Sequence, residues 1–261
     1  MRVPIFQVDA FTTKLFAGNP AAIVVLDSFL ADQTLQAIAA ENNLAETAFV
    51  VRDGSDYRIR WFTPMVEVPL CGHATLASAA IILKRIEPGR QTITFHSASG
   101  PLIIRRNGDG YVMNFPARKA APVDVPPEFE IALGARPIEV LADAFNYLAV
   151  LPNADIVRSL SPNFDGIAKL DRAGVIVTAP GDWPYDFVSR YFAPAKGIPE
   201  DPVTGGAHCA LTPFWANRLG KTEMRAFQAS KRGGELLVRA LGDRVELAGQ
   251  CTFYLEGHIE V

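Results

Sequence analysis

A single carboxylate stands in an otherwise uncharged stretch early in the chain. Residues 44–51 are strand-forming or apolar apart from Glu46. Burial among such neighbours raises the pKa of a carboxyl group toward neutrality, where the group can both accept and return a proton. The pattern indicates a general acid/base of the kind that an isomerase needs. The alternative interpretation is a glutamate on an edge strand that points into water.

Two further polar residues stand where apolar helices are expected to begin. His73 follows Gly72 directly before an Ala-rich run, and Asp201 precedes a second glycine turn that leads into another such run. A histidine beside a helix N-terminus favours its neutral form and can hydrogen-bond an amine, a hydroxyl or a carboxylate. In the alternative interpretation, His73 caps its turn and Asp201 caps the helix that follows it.

The two glycine turns share the capacity to bind an anion. Backbone N–H groups in the first turn of a helix have no acceptor within the helix, and they lie at its positive end. We expect the N–H groups of Gly72, His73, Gly205 and Gly206 to hold a substrate carboxylate or a developing oxyanion. Asn19, in a Gly-Asn-Pro turn, is a further candidate for binding substrate, although forming the turn explains it more simply.

The composition limits the classes of protein to which these residues can belong. The 261 residues are 49% hydrophobic and 20% charged, with a net charge of −3. This balance fits one large or two small globular domains and gives no basic footprint for nucleic acid. The sequence contains no apolar run of transmembrane length and no signal-peptide pattern, so we expect a cytoplasmic protein.

Cysteine and histidine spacing gives no sign of a metal. The three cysteines are far apart without a CxxC pair, and the four histidines show no HxxxH or HExxH spacing. We therefore expect neither a disulfide framework nor a metal centre.

The chain contains one internal repeat. Residues 60–64 match residues 190–194 at an offset of 130, and residues 71–74 match residues 204–207 at an offset of 133. The second copy therefore has three additional residues before its glycine turn, and Asp201 lies in that longer loop. We predict two similar α/β halves, each with strands around one apolar helix, and an active cleft between the halves.

The positions of the halves follow from proline content and hydrophobic patterning. We assign residues 1–115 to an N-terminal half, the Pro-rich residues 116–127 to a linker, and residues 128–261 to a C-terminal half whose last strand can return to the first half. Residues 74–84 are nearly all apolar, which predicts a buried helix in the first half.

Several separate motifs resemble those of the PhzF-like phenazine-biosynthesis isomerases, and the resemblance covers nearly the full chain. It implies the α+β fold of the diaminopimelate-epimerase-like class, in which each of two pseudo-symmetric domains curls a mixed sheet around a central helix. It also implies cofactor-free proton transfer, often in a homodimer. The motifs are residues 8–11, 18–21, 43–47, 60–64, 71–75 and 201–205.

The resemblance also implies roles for individual residues. It makes Glu46 the acid/base that moves a proton between carbons, and it places His73 and Asp201 in the substrate pocket, with Asp201 holding an amino group. The better-characterised members more often have Gly-Ser where this chain has Gly205 and Gly206. One hydroxyl donor is therefore missing, and the substrate need not be that of phenazine biosynthesis. The implied partner is a small carboxylate-bearing compound, without nucleotide, flavin, metal, nucleic acid or membrane.

An amino-acid epimerase or racemase of the same fold is one alternative. Such enzymes use two opposed cysteines at facing helix ends as acid and base. Cys71 stands at such an end, but its repeat partner is Thr204, and Cys209 lies more than one helical turn further on. The two cysteines are more simply small buried residues. His208, on the second apolar run, is expected to be a core or boundary histidine whose hydrogen bonds are satisfied.

A non-catalytic binding or interaction protein on this fold is the other alternative. The joint presence of Glu46, His73 and Asp201 disfavours it, because a protein without the chemistry has no need of all three.

Overall fold

The computed structural model describes residues 1–261, which form two compact units. Unit 1 comprises residues 1–114 and 248–261, and unit 2 comprises residues 115–247. Strands account for 43% of the residues and helices for 23%, so the fold is a strand-rich α+β fold, as predicted. None of the helices combines the length and the apolar composition needed to cross a lipid bilayer.

Unit 1 contains the first eight strands and two helices, and a π-helical turn at Ile82–Ile86 follows the second helix. The elements are β1 (Arg2–Ala10), β2 (Asn19–Leu26), α1 (Asp32–Asn42), β3 (Glu46–Asp53), β4 (Asp56–Phe62), β5 (Glu67–Val68), α2 (Gly72–Ile81), β6 (Thr92–Ser97), β7 (Gly100–Asn107) and β8 (Gly110–Pro116).

Unit 2 contains the next eight strands and four helices. The elements are β9 (Ala121–Pro122), α3 (Phe129–Leu133), β10 (Glu139–Ala142), β11 (Asn146–Val150), α4 (Ala154–Ser159), α5 (Phe164–Ala168), β12 (Gly174–Pro180), β13 (Phe187–Phe192), α6 (Gly205–Leu219), β14 (Glu223–Gln228), β15 (Gly234–Leu241) and β16 (Arg244–Gly249). The last strand, β17 (Cys251–Glu260), belongs to unit 1 and pairs antiparallel with β1.

Both units follow one pattern of strand pairing. In unit 1, successive pairs alternate between antiparallel and parallel: β1–β2, β2–β3, β3–β4, β4–β6 and β6–β7. In unit 2, the pairs β10–β11, β11–β12, β12–β13, β13–β14 and β14–β15 alternate in the same order. The prediction of two similar halves is therefore confirmed.

One helix in each unit carries the chain between two parallel strands, since parallel strands need a long crossover. Helix α2 connects β4 to β6, and α6 connects β13 to β14. Every residue of α2 after Gly72 is buried, which explains why its sequence is apolar on all sides. Its two hydroxyl side chains, Thr75 and Ser78, donate to backbone carbonyls one turn earlier, so neither buried hydroxyl is left unpaired.

Arg60 and Arg190, which occupy the same position in the internal repeat, each form an ion pair with a glutamate. Arg60 donates through Nε and Nη2 to the two carboxylate oxygens of Glu67, at 2.7 Å each. Arg190 donates in the same way to Glu200, at 2.6 and 2.9 Å. The partners are seven residues apart in unit 1 and ten apart in unit 2. The three additional residues of the second copy are thus accommodated between the arginine and its glutamate.

The turn before β2 requires a glycine. Gly18 has a φ of +65°, and a Cβ there would collide with the carbonyl oxygen of Ala10. The tight turn places Asn19 as the first residue of β2, where it is completely buried.

Candidate active site

Glu46 is the first residue of β3 and lies inside a sheet. β3 pairs with β2 on one side and with β4 on the other, so it is not an edge strand. The Glu46 side chain is 13% exposed. The alternative interpretation of an edge-strand glutamate in water is therefore wrong, because tertiary packing encloses the carboxylate.

His73 is the second residue of α2, and it is neutral. The residue is 5% exposed. Burial lowers the pKa of its imidazole to about 3. The sequence predicted a neutral ring from its position at a helix end, and the structure shows that desolvation is the larger cause.

Glu46 and His73 meet directly. Glu46 Oε2 lies 3.2 Å from His73 Nε2, although the ring nitrogen is not aligned with the oxygen as a hydrogen bond requires. The arrangement places a largely buried carboxylate, a neutral imidazole and the start of a helix at one point, where a proton can be accepted and returned.

The other ring nitrogen of His73 faces two donor groups. Asn19 Nδ2 lies 3.1 Å from His73 Nδ1, and Cys71 Sγ lies 3.5 Å from the same atom. With the Asn19 amide in this orientation its nitrogen donates, and Nδ1 is the unprotonated ring nitrogen. The ring proton is then on Nε2, the nitrogen nearest to Glu46.

Glu46, Cys71 and His73 offer a carboxylate oxygen, a thiol sulfur and a ring nitrogen within 4.8 Å of one another. These are all metal-ligand types. However, the carboxylate lies at Nε2 of the ring and the thiol at Nδ1. One ion would meet both only after a side chain had turned. The geometry fits a proton-transfer pair better than a metal centre.

Asp201 is held in a hydrogen-bonded loop before α6. Its Oδ2 accepts from the Thr204 hydroxyl at 2.6 Å, and its backbone N–H donates to the Tyr191 carbonyl at 3.1 Å. Gln228 donates through Nε2 to the Asp201 carbonyl at 2.7 Å and accepts from the Thr204 N–H at 2.8 Å. Asp201 therefore contacts the N-cap residue of α6, Thr204, and its position is fixed from three sides.

Both crossover helices begin without a capping side chain. Cys71 is the N-cap residue of α2 and Thr204 that of α6, and neither side chain caps its helix. The first-turn N–H groups therefore lack an acceptor within the helix. They belong to Gly72 and His73 in unit 1 and to Gly205 and Gly206 in unit 2, and an anion can bind at such positions.

The remaining histidine and cysteine of α6 are part of the core. His208 is fully buried, its Nδ1 lies 2.8 Å from the Thr204 carbonyl oxygen, and burial lowers its pKa to about 4. The predicted core position of His208 is confirmed. The prediction that all its hydrogen bonds are satisfied is wrong, because Nε2 has no partner. Burial raises the pKa of the Cys209 thiol to about 11, which makes a poor nucleophile and base near neutral pH.

The structure thus groups the predicted residues by unit. Glu46, His73, Asn19 and Gly72 lie around the start of α2, and the others lie at the start of α6. The contact between Cys71 and His73 and the bridging role of Gln228 were not predicted. No local pattern indicates them, since they depend on strand register and on contacts between distant residues.

The comparisons with known proteins all indicate the same family. The family model described as phenazine biosynthesis-like protein matches residues 8–257. An uncharacterized isomerase of Pseudomonas aeruginosa is 48% identical over the full length of both chains. The crystal structure of a PhzF-family phenazine biosynthesis protein from Enterococcus faecalis, 41% identical, superimposes over the full length of both chains with a TM-score of 0.97.

A more distant structure shows the same fold. A probable proline racemase from Agrobacterium radiobacter covers 99% of this chain and 93% of its own length, with a TM-score of 0.65 and 9% identity. The likeness at this identity concerns the fold alone, and it agrees with the predicted epimerase-like class.

Proposed function

The chain belongs to the phenazine biosynthesis-like family, and we propose that it is a cofactor-independent isomerase that moves a proton within a small carboxylate-bearing compound. The name of the Pseudomonas aeruginosa relative supports an isomerase in general terms. The substrate and the mechanism are our proposal.

The contact between Glu46 and His73 carries the proposal. A largely buried carboxylate 3.2 Å from a neutral imidazole is arranged for general acid/base chemistry, because burial favours the protonated acid while the ring can stabilise the anion. In our proposal Glu46 takes a proton from one carbon of the substrate and returns it to another. His73 binds a polar group of the substrate and steadies the Glu46 carboxylate.

The residues of unit 2 are proposed to bind the substrate. Asp201 is fixed by its bonds to Thr204 and Gln228, and its carboxylate suits an amino group. The N–H groups of Gly205 and Gly206, like those of Gly72 and His73, suit a carboxylate or an oxyanion. Asn19 is proposed to act through His73, whose Nδ1 its amide contacts.

A racemase with two thiols is not favoured by the structure. Cys71 lies beside His73, but Thr204 takes the equivalent place at the start of α6. Cys209 is buried within α6, and its raised pKa of about 11 leaves it protonated at neutral pH. No second thiol stands at the repeat position where an opposed base is needed.

The substrate of phenazine biosynthesis is not part of the proposal. Residue 206 is glycine in this chain, which removes a side-chain hydroxyl from the start of α6. We propose an amino- or hydroxy-substituted, unsaturated or cyclic carboxylate. A homodimer and a cytoplasmic location stay predictions.

Proton exchange tests the proposed role of Glu46. The protein is incubated in D₂O with a panel of small amino and hydroxy carboxylic acids, and deuterium incorporation is followed by NMR. We expect one class of compound to exchange with the wild type, and Glu46→Gln to slow the exchange by about 100- to 10,000-fold with binding retained.

The matched control is Glu41→Gln, the same change at an exposed position of α1. It should exchange at the wild-type rate. Unchanged exchange in Glu46→Gln would remove the acid/base assignment. Binding of the panel without exchange by the wild type would favour the non-catalytic alternative.

A further inference from the structure

The backbone of Arg118 is hydrogen-bonded to α6 at a point where a proline interrupts the hydrogen bonding within the helix. Pro213 lies inside α6 and has no N–H, so the carbonyl of Cys209, one turn earlier, loses its usual helical partner. The backbone N–H of Arg118 donates to this carbonyl at 2.9 Å. Residue 118 lies in the Pro-rich segment predicted to be a linker. The carbonyl freed by Pro213 therefore binds the predicted linker, residues 116–127, to the helix through Arg118.

The Arg118 side chain reaches the first turn of α6. Its Nη1 lies 3.6 Å from the point that a Cβ on residue 206 would occupy, and its guanidinium lies over the Phe145 ring at 4.8 Å. The side chain is half-buried and has no ion-pair partner. A guanidinium carries five N–H donors. These donors are therefore available beside the N–H groups at the start of α6.

The buried carboxylate of Asp143 belongs to the turn that carries Phe145, the residue over which Arg118 packs. Asp143 Oδ1 accepts from the N–H groups of Phe145 and Asn146, at 2.7 and 2.6 Å, which holds the turn that carries the Phe145 ring. Asp143 is 7% exposed, and its Oδ2 has no hydrogen-bond donor. A buried carboxylate oxygen without a donor is unfavourable unless a further group arrives.

The charges of Arg118 and Asp143 both influence the pKa values of Tyr191 and Lys196. Burial raises the pKa of the Tyr191 hydroxyl, the carboxylates of Asp201 and Asp143 raise it further, and Arg118 opposes them. Lys196, whose Nζ donates to the Tyr191 hydroxyl at 3.3 Å, is influenced by the same three charges. Arg118, Asp143 and Asp201 therefore all lie within electrostatic range of Tyr191.

We propose that Arg118 binds the carboxylate of the substrate beside Gly206, and that Asp143 Oδ2 accepts a hydrogen bond from an amino or hydroxy group of the same compound. The planar guanidinium matches a carboxylate with two parallel N–H donors. The absence of a side chain at residue 206 leaves room for the carboxylate against the helix. This inference rests on the proposed function and names two residues that bind its amino- or hydroxy-substituted carboxylate.

Three related ligands test the two contacts separately. Anthranilate carries both groups, benzoate lacks the amine, and anthranilamide lacks the negative charge. Binding is measured by isothermal titration calorimetry. We expect the wild type to prefer anthranilate over both others. Arg118→Gln should weaken anthranilate binding by about 10- to 100-fold and remove the preference over anthranilamide, because it removes a charged hydrogen bond.

Asp143→Asn retains the Oδ1 acceptor for the turn and replaces Oδ2 by a donor. It should reduce the preference for anthranilate over benzoate, to which Asp201 also contributes, while the preference over anthranilamide remains. Arg136→Gln, at an exposed arginine of unit 2, is the control and should change neither preference. Circular dichroism establishes that each variant is folded. Should Asp143→Asn fail to fold, Arg118→Gln decides the inference alone.

Gly206→Ser provides an independent check. A serine Cβ at 3.6 Å from Arg118 Nη1 is in ordinary contact, so the variant should fold and offer a hydroxyl donor in the same place. Introduced into Arg118→Gln, it should restore part of the anthranilate affinity. Wild-type affinity in Arg118→Gln, or no anthranilate binding by the wild type, would overturn the inference.

Kinetics separate this inference from the proposed function. With the compound that exchanges in D₂O, Arg118→Gln should raise KM by about 10- to 100-fold and lower kcat much less. Exchange that depends on Glu46 but not on Arg118 would overturn only the present inference. Anthranilate binding that depends on Arg118, without any Glu46-dependent exchange, would overturn the proposed function and retain the anion site.

Discussion

At the residue scale, the chemistry of His73 depends on where its single ring proton lies. Burial keeps the ring neutral, and from the Asn19 amide at 3.1 Å from Nδ1 we infer that the proton lies on Nε2. The proton then faces the Glu46 carboxylate, which it can stabilise after Glu46 has given up its own proton. The opposite tautomer would turn a lone pair toward the carboxylate and repel it.

Asn19→Asp tests this tautomer. A carboxylate beside Nδ1 accepts where the amide donated, so it should draw the ring proton onto Nδ1. We expect proton–nitrogen correlation NMR to show an unprotonated Nδ1 in the wild type and a protonated Nδ1 in the variant. The exchange rate should fall at least about 10-fold, as a wrong tautomer does in other acid/base sites.

The control for this change is Asn107→Asp, at an exposed position of β7. It should alter neither the His73 signals nor the exchange rate. A protonated Nδ1 in the wild type would contradict the proposed hydrogen-bond direction between Asn19 and His73.

At the element scale, the internal repeat places one arginine in two different environments. In each unit the arginine, Arg60 or Arg190, lies near the end of a strand, binds a glutamate with two bonds, and packs over a phenylalanine two residues later, Phe62 or Phe192. Arg190 also donates to the carbonyls of Val157 and Leu160, at 3.1 and 2.6 Å. Arg60 instead reaches Asp32, whose side chain is 77% exposed.

The two environments predict different costs for the same substitution. Arg190→Met leaves Glu200 and two backbone carbonyls without donors in a largely buried place, and it should lower the free energy of unfolding by about 3–5 kcal/mol. Arg60→Met removes a more exposed pair and should cost about 0–1 kcal/mol. Urea unfolding of both variants gives the comparison, and equal losses would show that burial does not decide the strength of this ion pair.

At the scale of the whole molecule, each unit buries one neutral histidine in its crossover helix. The pKa is about 3 for His73 and about 4 for His208, against an ordinary value of 6.5. The unfolded chain therefore binds protons that the folded chain cannot bind. Stability is complete above pH 6.5 and falls as the pH is lowered toward the folded pKa values.

Acid titration of stability tests this coupling. Between pH 6.5 and 4.5 we expect the free energy of unfolding to fall by on the order of 3 kcal/mol for each histidine. Asp186, a carboxylate with a lowered pKa, loses its contribution only at lower pH, and histidine variants separate the histidines from the other groups that titrate in this window. Thermal unfolding across the window provides the measurement.

His208→Gln should flatten this dependence, because glutamine does not titrate, whereas His96→Gln, at an exposed position, should leave it unchanged. A stability that stayed constant from pH 6.5 to 4.5 would show that the buried rings gain protons as easily as those of the unfolded chain.

The sequence by itself determined the repeat, the buried crossover helix and the residues able to do chemistry. The helix follows from an apolar run without charges, and the helix ends follow from glycine turns directly before such runs. Glu46, His73 and Asp201 stand out because each is a polar residue at the edge of an apolar segment. Such features depend on neighbours in the chain, and local patterning is sufficient to find them.

Only the tertiary structure decided how these residues are partnered. Asn19 and His73 are 54 residues apart, and Thr204 and Gln228 are 24 apart, so their contacts depend on strand register and packing. The same holds for Arg118, which reaches Gly206 because Pro213 leaves a carbonyl of α6 without its helical donor. Burial and long-range hydrogen bonding set the proton positions and charges, and neither can be obtained from residue spacing.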